Sequence, residues 1–304
     1  MPSSAGEKPA AEWYRRLWGG GRHWLLLSPV LVVVAPLFAA AVVLALLQSF
    51  DYFPLIGRRS FSFDAYGSLL VDGEFWRSLL LSLWIGVAAA VLSVALGICA
   101  ALAIRRAWGG SRWLAFLFQI NLPVPHVIGA LAMIHLLSQS GWLARLTHAS
   151  GLIDTASQFP ILTNDPWALG IIAEFVWKDA PFIGIITLGV LGSLTESYED
   201  VAGSLGASGW QRLRHVTLPM LMPALAPASV IVFAFAFGSF EVPLLLGGTF
   251  PSALPVLAYR LHTNVDLAAR PEGMALAVIM SLVVMTAAVG YLRLVRRYLP
   301  REAR

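Results

Sequence analysis

The chain has 304 residues, of which 58% are hydrophobic and only 12% charged, with a formal net charge of +4. A soluble domain averages about 25% charged residues, and side chains as apolar as these, with a mean hydropathy of +0.74, must face lipid as well as a core. This excludes an ordinary water-soluble fold, and the small positive balance reads as a membrane-orientation signal, not as a nucleic-acid footprint.

Residues 1–23 are polar and basic and read as a cytoplasmic N-terminal segment. The apolar run that follows is longer than the 7–15 residues of a signal-peptide core, so it is expected to stay as the first span. A spanning helix needs about 20 apolar residues. Six stretches qualify: Trp24–Leu47, Ser78–Ile104, Trp113–Leu137, Ala168–Leu191, Leu221–Gly247 and Met274–Leu294. The segments between them are rich in Pro, Gly, Ser, Asp and Arg and read as loops. The expected fold is an all-α membrane protein with a six-span domain over residues 24–294 and a C-terminal tail over 295–304. Trp24, Trp76, Trp113 and Trp167 stand at span ends, where interfacial tryptophans set depth. Cys99, the single cysteine, lies inside a span and has no intrachain disulfide partner. No internal repeat divides the chain into similar halves.

Arginine and lysine set the orientation. With six spans both termini share a side. That side carries 14 of the 21 basic residues, among them Arg15, Arg16, Arg105, Arg106, Arg212, Arg214, Arg296 and Arg297. The opposite side carries Arg58, Arg59, Arg77, Arg145, Arg260 and Arg270, and Lys178 falls within a span. Both termini are therefore expected in the cytoplasm.

Residues 195–218, between spans four and five, form a cytoplasmic loop too regular for a simple connector. Ser197 and Asp200 have capping-box spacing. Tyr198, Val201, Ala202 and Leu205 fall at i, i+3, i+4 and i+7 and predict one apolar helical face. Gly206 can end that helix in a left-handed turn. A second short helix is expected over Gly209–Val216, and Pro219 opens the next span. The whole reads as a helical knob presented to a cytoplasmic partner. Its acidic residues Glu196, Glu199 and Asp200 suit a basic protein cleft better than a membrane surface, where Lys and Arg are preferred.

This segment resembles the EAA loop of the permease subunits of binding-protein-dependent ABC importers. Asp200-Val201-Ala202 stands at the E-A-A position, Gly206 follows after three residues, and Val216-Thr217-Leu218-Pro219 follows after nine more. Asp replaces Glu, Val replaces Ala and Val replaces Ile; Glu199 and Asp200 both stand ready for the acidic role. The resemblance implies a coupling helix docked on an ATPase subunit through Tyr198, Glu199, Asp200, Val201, Ala202, Leu205, Gly206, Ala207 and Pro219. It further implies two ATPase subunits holding ATP and Mg, a second permease (a different chain), an external solute-binding protein, and location in the inner membrane. No cofactor is expected on this chain itself.

Other chemistries find little support. Lys8 and Lys178 are the only lysines, and neither sits in the G-x-x-x-x-G-K-[ST] loop an ATPase needs. Gly206-Ala207-Ser208-Gly209 matches the nucleophile motif of intramembrane proteases. Ser208, however, is expected outside the membrane, and His215 is seven residues along the same segment. The six histidines are scattered and suggest no metal centre. An ion-coupled secondary transporter, needing no cytoplasmic partner, is the alternative reading.

Ionisable groups at membrane depth cost at least ~2.5 kcal/mol each and default to functional candidates. Span four holds Glu174, Lys178 and Asp179. The first two are spaced i, i+4 to neutralise each other, and Pro181 is expected to bend the helix and free backbone carbonyls. Span three holds His126 and His135 behind Pro123 and Pro125. Span five holds Glu241 near its outer end, beside Phe240. Glu174, Lys178, Asp179, Phe240 and Glu241 are the candidate translocation-path residues. The Gly238–Gly247 stretch resembles permeases of the polyamine, iron(III) and phosphonate importers. Phe233, Phe235, Phe237 and Phe240 beside Glu241 would suit a cationic amine through cation–π contact.

Overall fold

The computed structural model describes residues 22–107, 112–192 and 196–296. The N-terminal segment before residue 22, Thr195 and the tail beyond residue 296 lie outside the described residues, as does the side chain of Ser197 with its expected cap.

The described chain is helical throughout, its one β-bridge, Phe53 to Arg58, standing in a loop. Helix α1 (Arg22–Ser49) is apolar on every face and exposes nearly its whole length, as a lipid-facing helix should. It packs along the last helix, α13 (Arg270–Arg296). Helix α2 (Asp64–Val71) is short and is followed by α3 (Gly73–Arg106), the longest. Asp72 starts α3 by accepting the N–H of Glu74, and Arg105 and Arg106 occupy its last turn, where cations oppose the negative end of the helix dipole.

The third expected span is broken. Helix α4 (Arg112–Gln119) stops, the chain turns through 120–125, and α5 (His126–Leu137) begins after Pro125. Pro123 and Pro125 have no N–H to continue the ladder, which is why one apolar stretch becomes two helices. Helix α6 (Trp142–Ala149) lies where a loop was expected. So do α2 and α12 (Leu254–His262), each of which buries an apolar face. Helix α7 (Leu169–Val190) starts where Asp165 accepts the N–H groups of Trp167 and Leu169, and it runs unbroken through Pro181.

Next come α8 (Glu196–Ser204) and α9 (Gly209–Arg212). The second of these was expected to reach Val216; instead it passes into a π-helical turn over Leu213–Thr217. Helix α10 (Leu218–Gly238) opens with Pro219 in its first turn, where proline costs no hydrogen bond. The fifth expected span ends there: Ser239 is extended, and α11 (Glu241–Leu246) is a separate short helix.

Packing centres on α3, α7 and α10. Towards the loop end of α7, Ala90, Ala101, Ile183, Leu191, Leu221, Leu225 and Val232 form one cluster. Towards the other end, Ile85, Ala130, Phe175, Val242 and Leu246 join α5 and α11 to the same core. Helix α7 is the most enclosed element. Among the described residues, five stretches are long and apolar enough to cross a membrane: Leu27–Ser49, Gly73–Arg106, His126–Ala149, Gly209–Gly238 and Leu267–Val295. The 22 residues of α7, about 33 Å at 1.5 Å per residue, match a hydrocarbon core of about 30 Å. Its Glu174, Lys178 and Asp179 set it apart from those five by composition.

Candidate functional site

The loop between α7 and α10 is built by local signals. Helix α8 ends in a Schellman arrangement: the Ala207 N–H donates to the Ala202 carbonyl and the Gly206 N–H to the Gly203 carbonyl, each at 3.0 Å. Gly206 has φ +86°, a left-handed conformation that costs a side-chain-bearing residue about 1–2 kcal/mol. The chain then starts α9 with a complete capping box. Gln211 N–H donates to Ser208 Oγ at 3.4 Å, and Ser208 N–H donates to Gln211 Oε1 at 2.8 Å.

Helix α8 divides its faces. Tyr198, Val201 and Leu205 stand 58%, 59% and 83% exposed, an unpartnered apolar stripe, while Ala202 is half-buried. Glu199 points the other way. Its carboxylate accepts from Arg105 Nη2 at 3.0 and 3.3 Å and from the hydroxyl of the buried Thr217. One carboxylate therefore ties α8 to the end of α3 and the foot of α10. Asp200 is exposed and pairs with nothing among the described residues. Of the two adjacent carboxylates, Glu199 seats the helix and Asp200 remains available to a partner.

A second polar centre lies where α7 crosses the 120–125 break. The expected Glu174–Lys178 pair does not form. Glu174, with no exposed surface, faces His126 Nδ1 at 3.2 Å, and Lys178 Nζ donates to the carbonyls of Asn121 and Leu122 at 2.6 and 2.7 Å. Helical spacing made the pair possible; the broken segment offered both groups better partners. The exchange is reciprocal. Pro125 cannot serve the Asn121 carbonyl as an i+4 donor, and that carbonyl accepts from the Val124 N–H at 3.0 Å and from Lys178. Pro181 likewise frees the Trp177 carbonyl, and the side chain of Asn121 donates to it. Gly129 makes room for this arrangement: a Cβ there would lie 2.6 Å from Glu174 Oε1 and 3.3 Å from the Trp177 ring. One oxygen of Asp179 is buried without a partner.

The remaining candidates sit apart from both centres. Phe240 stacks on Tyr259 with ring centroids 5.2 Å apart. Glu241 opens α11, is exposed, and makes no hydrogen bond or ion pair among the described residues. Phe233 stacks on Phe237 at 5.8 Å within the core, whereas Phe235 packs on His126 at 4.6 Å and is 46% exposed. No group of three or more His, Cys, Asp or Glu side chains converges among the described residues.

A family model described as the inner membrane component of binding-protein-dependent transport systems matches residues 93–301. The chain belongs to this family. It is thus a multi-pass inner-membrane permease of a type I ABC importer, a transporter subunit and not the ATPase. It is 30% identical over 212 residues to PhnV of Salmonella typhimurium, whose name assigns it to 2-aminoethylphosphonate transport; the match covers 69% of this chain and 71% of the relative. It is 29% identical over 224 residues to the molybdenum transport permease ModB of Mycobacterium tuberculosis, covering 72% and 81%. The fold matches a chain of a bacterial ABC transporter involved in alginate import, with TM-score 0.72 and 22% identity over 93% of this chain and 99% of that one.

Several residues that shape the permease were not singled out from sequence. Arg105 was read only as an orientation charge, Thr217 only as part of the motif, and Asn121 not at all. Ser208 and Gln211 carried a readable capping-box spacing that went unused.

Proposed function

We propose that the chain is a six-span permease subunit, with α7 as the fourth span and both termini in the cytoplasm, and that α8 is the helix through which ATP hydrolysis drives it. The observation that carries this reading is the division of α8: Glu199 fixes it to α3 and α10, while Tyr198, Val201 and Leu205 present a bare apolar stripe. A rigid mount and an unpartnered face are what a coupling element needs. An unsecured helix would absorb a partner's motion, and a covered one would not receive it. The stripe docks in a cleft of one of two ATPase subunits, which hold the ATP and Mg. Asp200, Ala207 and Pro219 border the contact, and Gly206 turns the chain away from it. A second, different permease and an external binding protein complete the transporter.

The solute is small and polar and carries a cationic amine, of the polyamine or aminophosphonate kind. The unpaired Glu241 beside the Phe240–Tyr259 stack supports this, because carboxylate and aromatic faces both attract ammonium groups. Glu241 and Phe240 border the path; Glu174, Lys178 and Asp179 shape it from behind, the first two as groups that hold the α4–α5 break.

Ala202→Asp and Gly206→Asp test the coupling role. Each places an uncompensated charge against the docking face. Both variants are expected to insert normally, lose co-purifying ATPase and lose hydrolysis stimulated by the loaded binding protein. Normal recovery and normal stimulation in both would remove α8 from the mechanism. A reporter after Arg304 and a cysteine placed within 206–211 are expected on the cytoplasmic side; labelling of either from outside intact cells would overturn the orientation.

A further inference from the structure

An apolar groove of about 540 Å³ runs between α3 and α13, with α10 as its floor. Val91 and Ala95 line one wall, Met222 and Phe233 the floor, and Ala288 and Tyr291 the other wall. Along α3 it extends from Leu83 to Ile98, ~22 Å at the helical rise, which exceeds the ~15 Å depth of one leaflet's hydrocarbon. Spread over that length and widened by a water's radius of about 1.4 Å on each side, the volume leaves a mean width of roughly 8 Å, whereas a helix with its side chains needs about 10–12 Å. The groove is shaped for an extended hydrocarbon chain and is too narrow for another helix.

Its cytoplasmic end is basic. Val91, Ala95, Cys99, Leu102 and Arg106 follow one another down a single face of α3, and helical side chains lean towards the N-terminus, so Arg106 leans back towards the groove. On the floor side, Arg214 precedes Leu218 by one turn. Both arginines are exposed, and neither has a hydrogen-bond or ion-pair partner among the described residues. Basic clusters between membrane helices on the cytoplasmic side attract anionic headgroups.

We infer that the groove holds an acyl chain of an anionic phospholipid from the cytoplasmic leaflet, its phosphodiester bound by Arg106 and Arg214. The inference rests on the orientation proposed above. It is separable from the coupling role, because lipid binding is read without ATPase or transport. The test is native mass spectrometry of the detergent-purified full chain, titrated with phosphatidylglycerol and with phosphatidylcholine of the same acyl chains. Phosphatidylglycerol is expected to bind on the order of tenfold more tightly. The double variant Arg106→Gln with Arg214→Gln should bring it to the phosphatidylcholine level, and Ala95→Trp should weaken both lipids by filling the groove. Ala288→Phe serves the same purpose should Ala95→Trp fail to fold. Equal binding of the two lipids to the unaltered chain would overturn the inference. So would undiminished binding in the groove-filling variants, or cross-linking of Cys99, the chain's only cysteine and exposed, to a second permease in the assembled transporter.

Discussion

Replacing Lys178 with Met tests why a lysine stands inside a membrane helix. In the structure its Nζ satisfies the carbonyls of Asn121 and Leu122. Met keeps the stem and removes the donor. The Asn121 carbonyl keeps the Val124 N–H at 3.0 Å, so the Leu122 carbonyl is the one left unpaired, at about 1–3 kcal/mol, offset in part because the variant no longer buries an ammonium group. At roughly 2 °C per kcal/mol for a chain of this size, the detergent-purified variant should unfold ~2–6 °C below the unaltered protein, followed by tryptophan fluorescence. The decisive comparison is Glu174→Gln with Lys178→Met together. Were Lys178 present to neutralise Glu174, removing both would leave no unmatched charge and restore stability. Because Glu174 faces His126 and Lys178 faces backbone carbonyls, the double variant should melt no higher than Lys178→Met alone. A double variant as stable as the unaltered chain would refute the arrangement.

Three further outcomes follow from the same geometry. Glu199→Gln removes the charged bonds to Arg105 and should loosen α8, raising protease cleavage within 196–212 and lowering stimulated ATP hydrolysis, whereas Asp200→Asn should leave cleavage unchanged; identical proteolysis of the two variants would contradict the seating role of Glu199. Gly129→Ala places a methyl 2.6 Å from Glu174 Oε1 and should cost about 1–3 kcal/mol by overpacking, read as a lowered unfolding midpoint; an unchanged midpoint would show that Glu174 does not lie against α5. Glu241→Gln should reduce solute uptake in vesicles with the complex still assembled, and unchanged uptake kinetics over a range of solute concentrations would remove Glu241 from the path.

The loop between α7 and α10 was legible because everything that builds it is local. The apolar stripe of Tyr198, Val201 and Leu205 repeats at helical spacing, Gly206 stands where a left-handed residue is required, and Pro219 opens the next helix. The spans were legible as apolar stretches but not as helices. Averaging hydropathy over some 19 residues hides a six-residue turn such as 120–125, and the prolines that cause it are themselves apolar. The partners of Glu174 and Lys178 could not be read at all. Asn121 and Lys178 are 57 residues apart, and only the folded bundle brings them together. The i, i+4 rule named the nearest neighbour in sequence, and that failed because a broken helix supplies stronger acceptors than a side chain one turn away.

The same contact explains why α7 looks least like a membrane helix and is the most enclosed. Backbone that leaves the helical ladder within a bilayer must find its partners inside the protein. Pro123 and Pro125 break the expected third span, and Pro181, within an unbroken α7, removes one ladder hydrogen bond; each element answers for the other, Lys178 of α7 donating to the Asn121 and Leu122 carbonyls of the break and Asn121 donating to the Trp177 carbonyl that Pro181 frees. Without these carbonyls either polar side chain would be a costly guest in an apolar core. Together they lock α7 against the broken third span. Two of the charges that lower its hydropathy are therefore part of what holds the bundle: Lys178 bonds backbone carbonyls of the break and Glu174 faces His126 at the start of α5. Helix α7 also packs along α3, whose last turn carries Arg105. In the coupling role proposed above, a displacement of α8 would be carried by Glu199 to Arg105 on α3, the helix along which α7 packs.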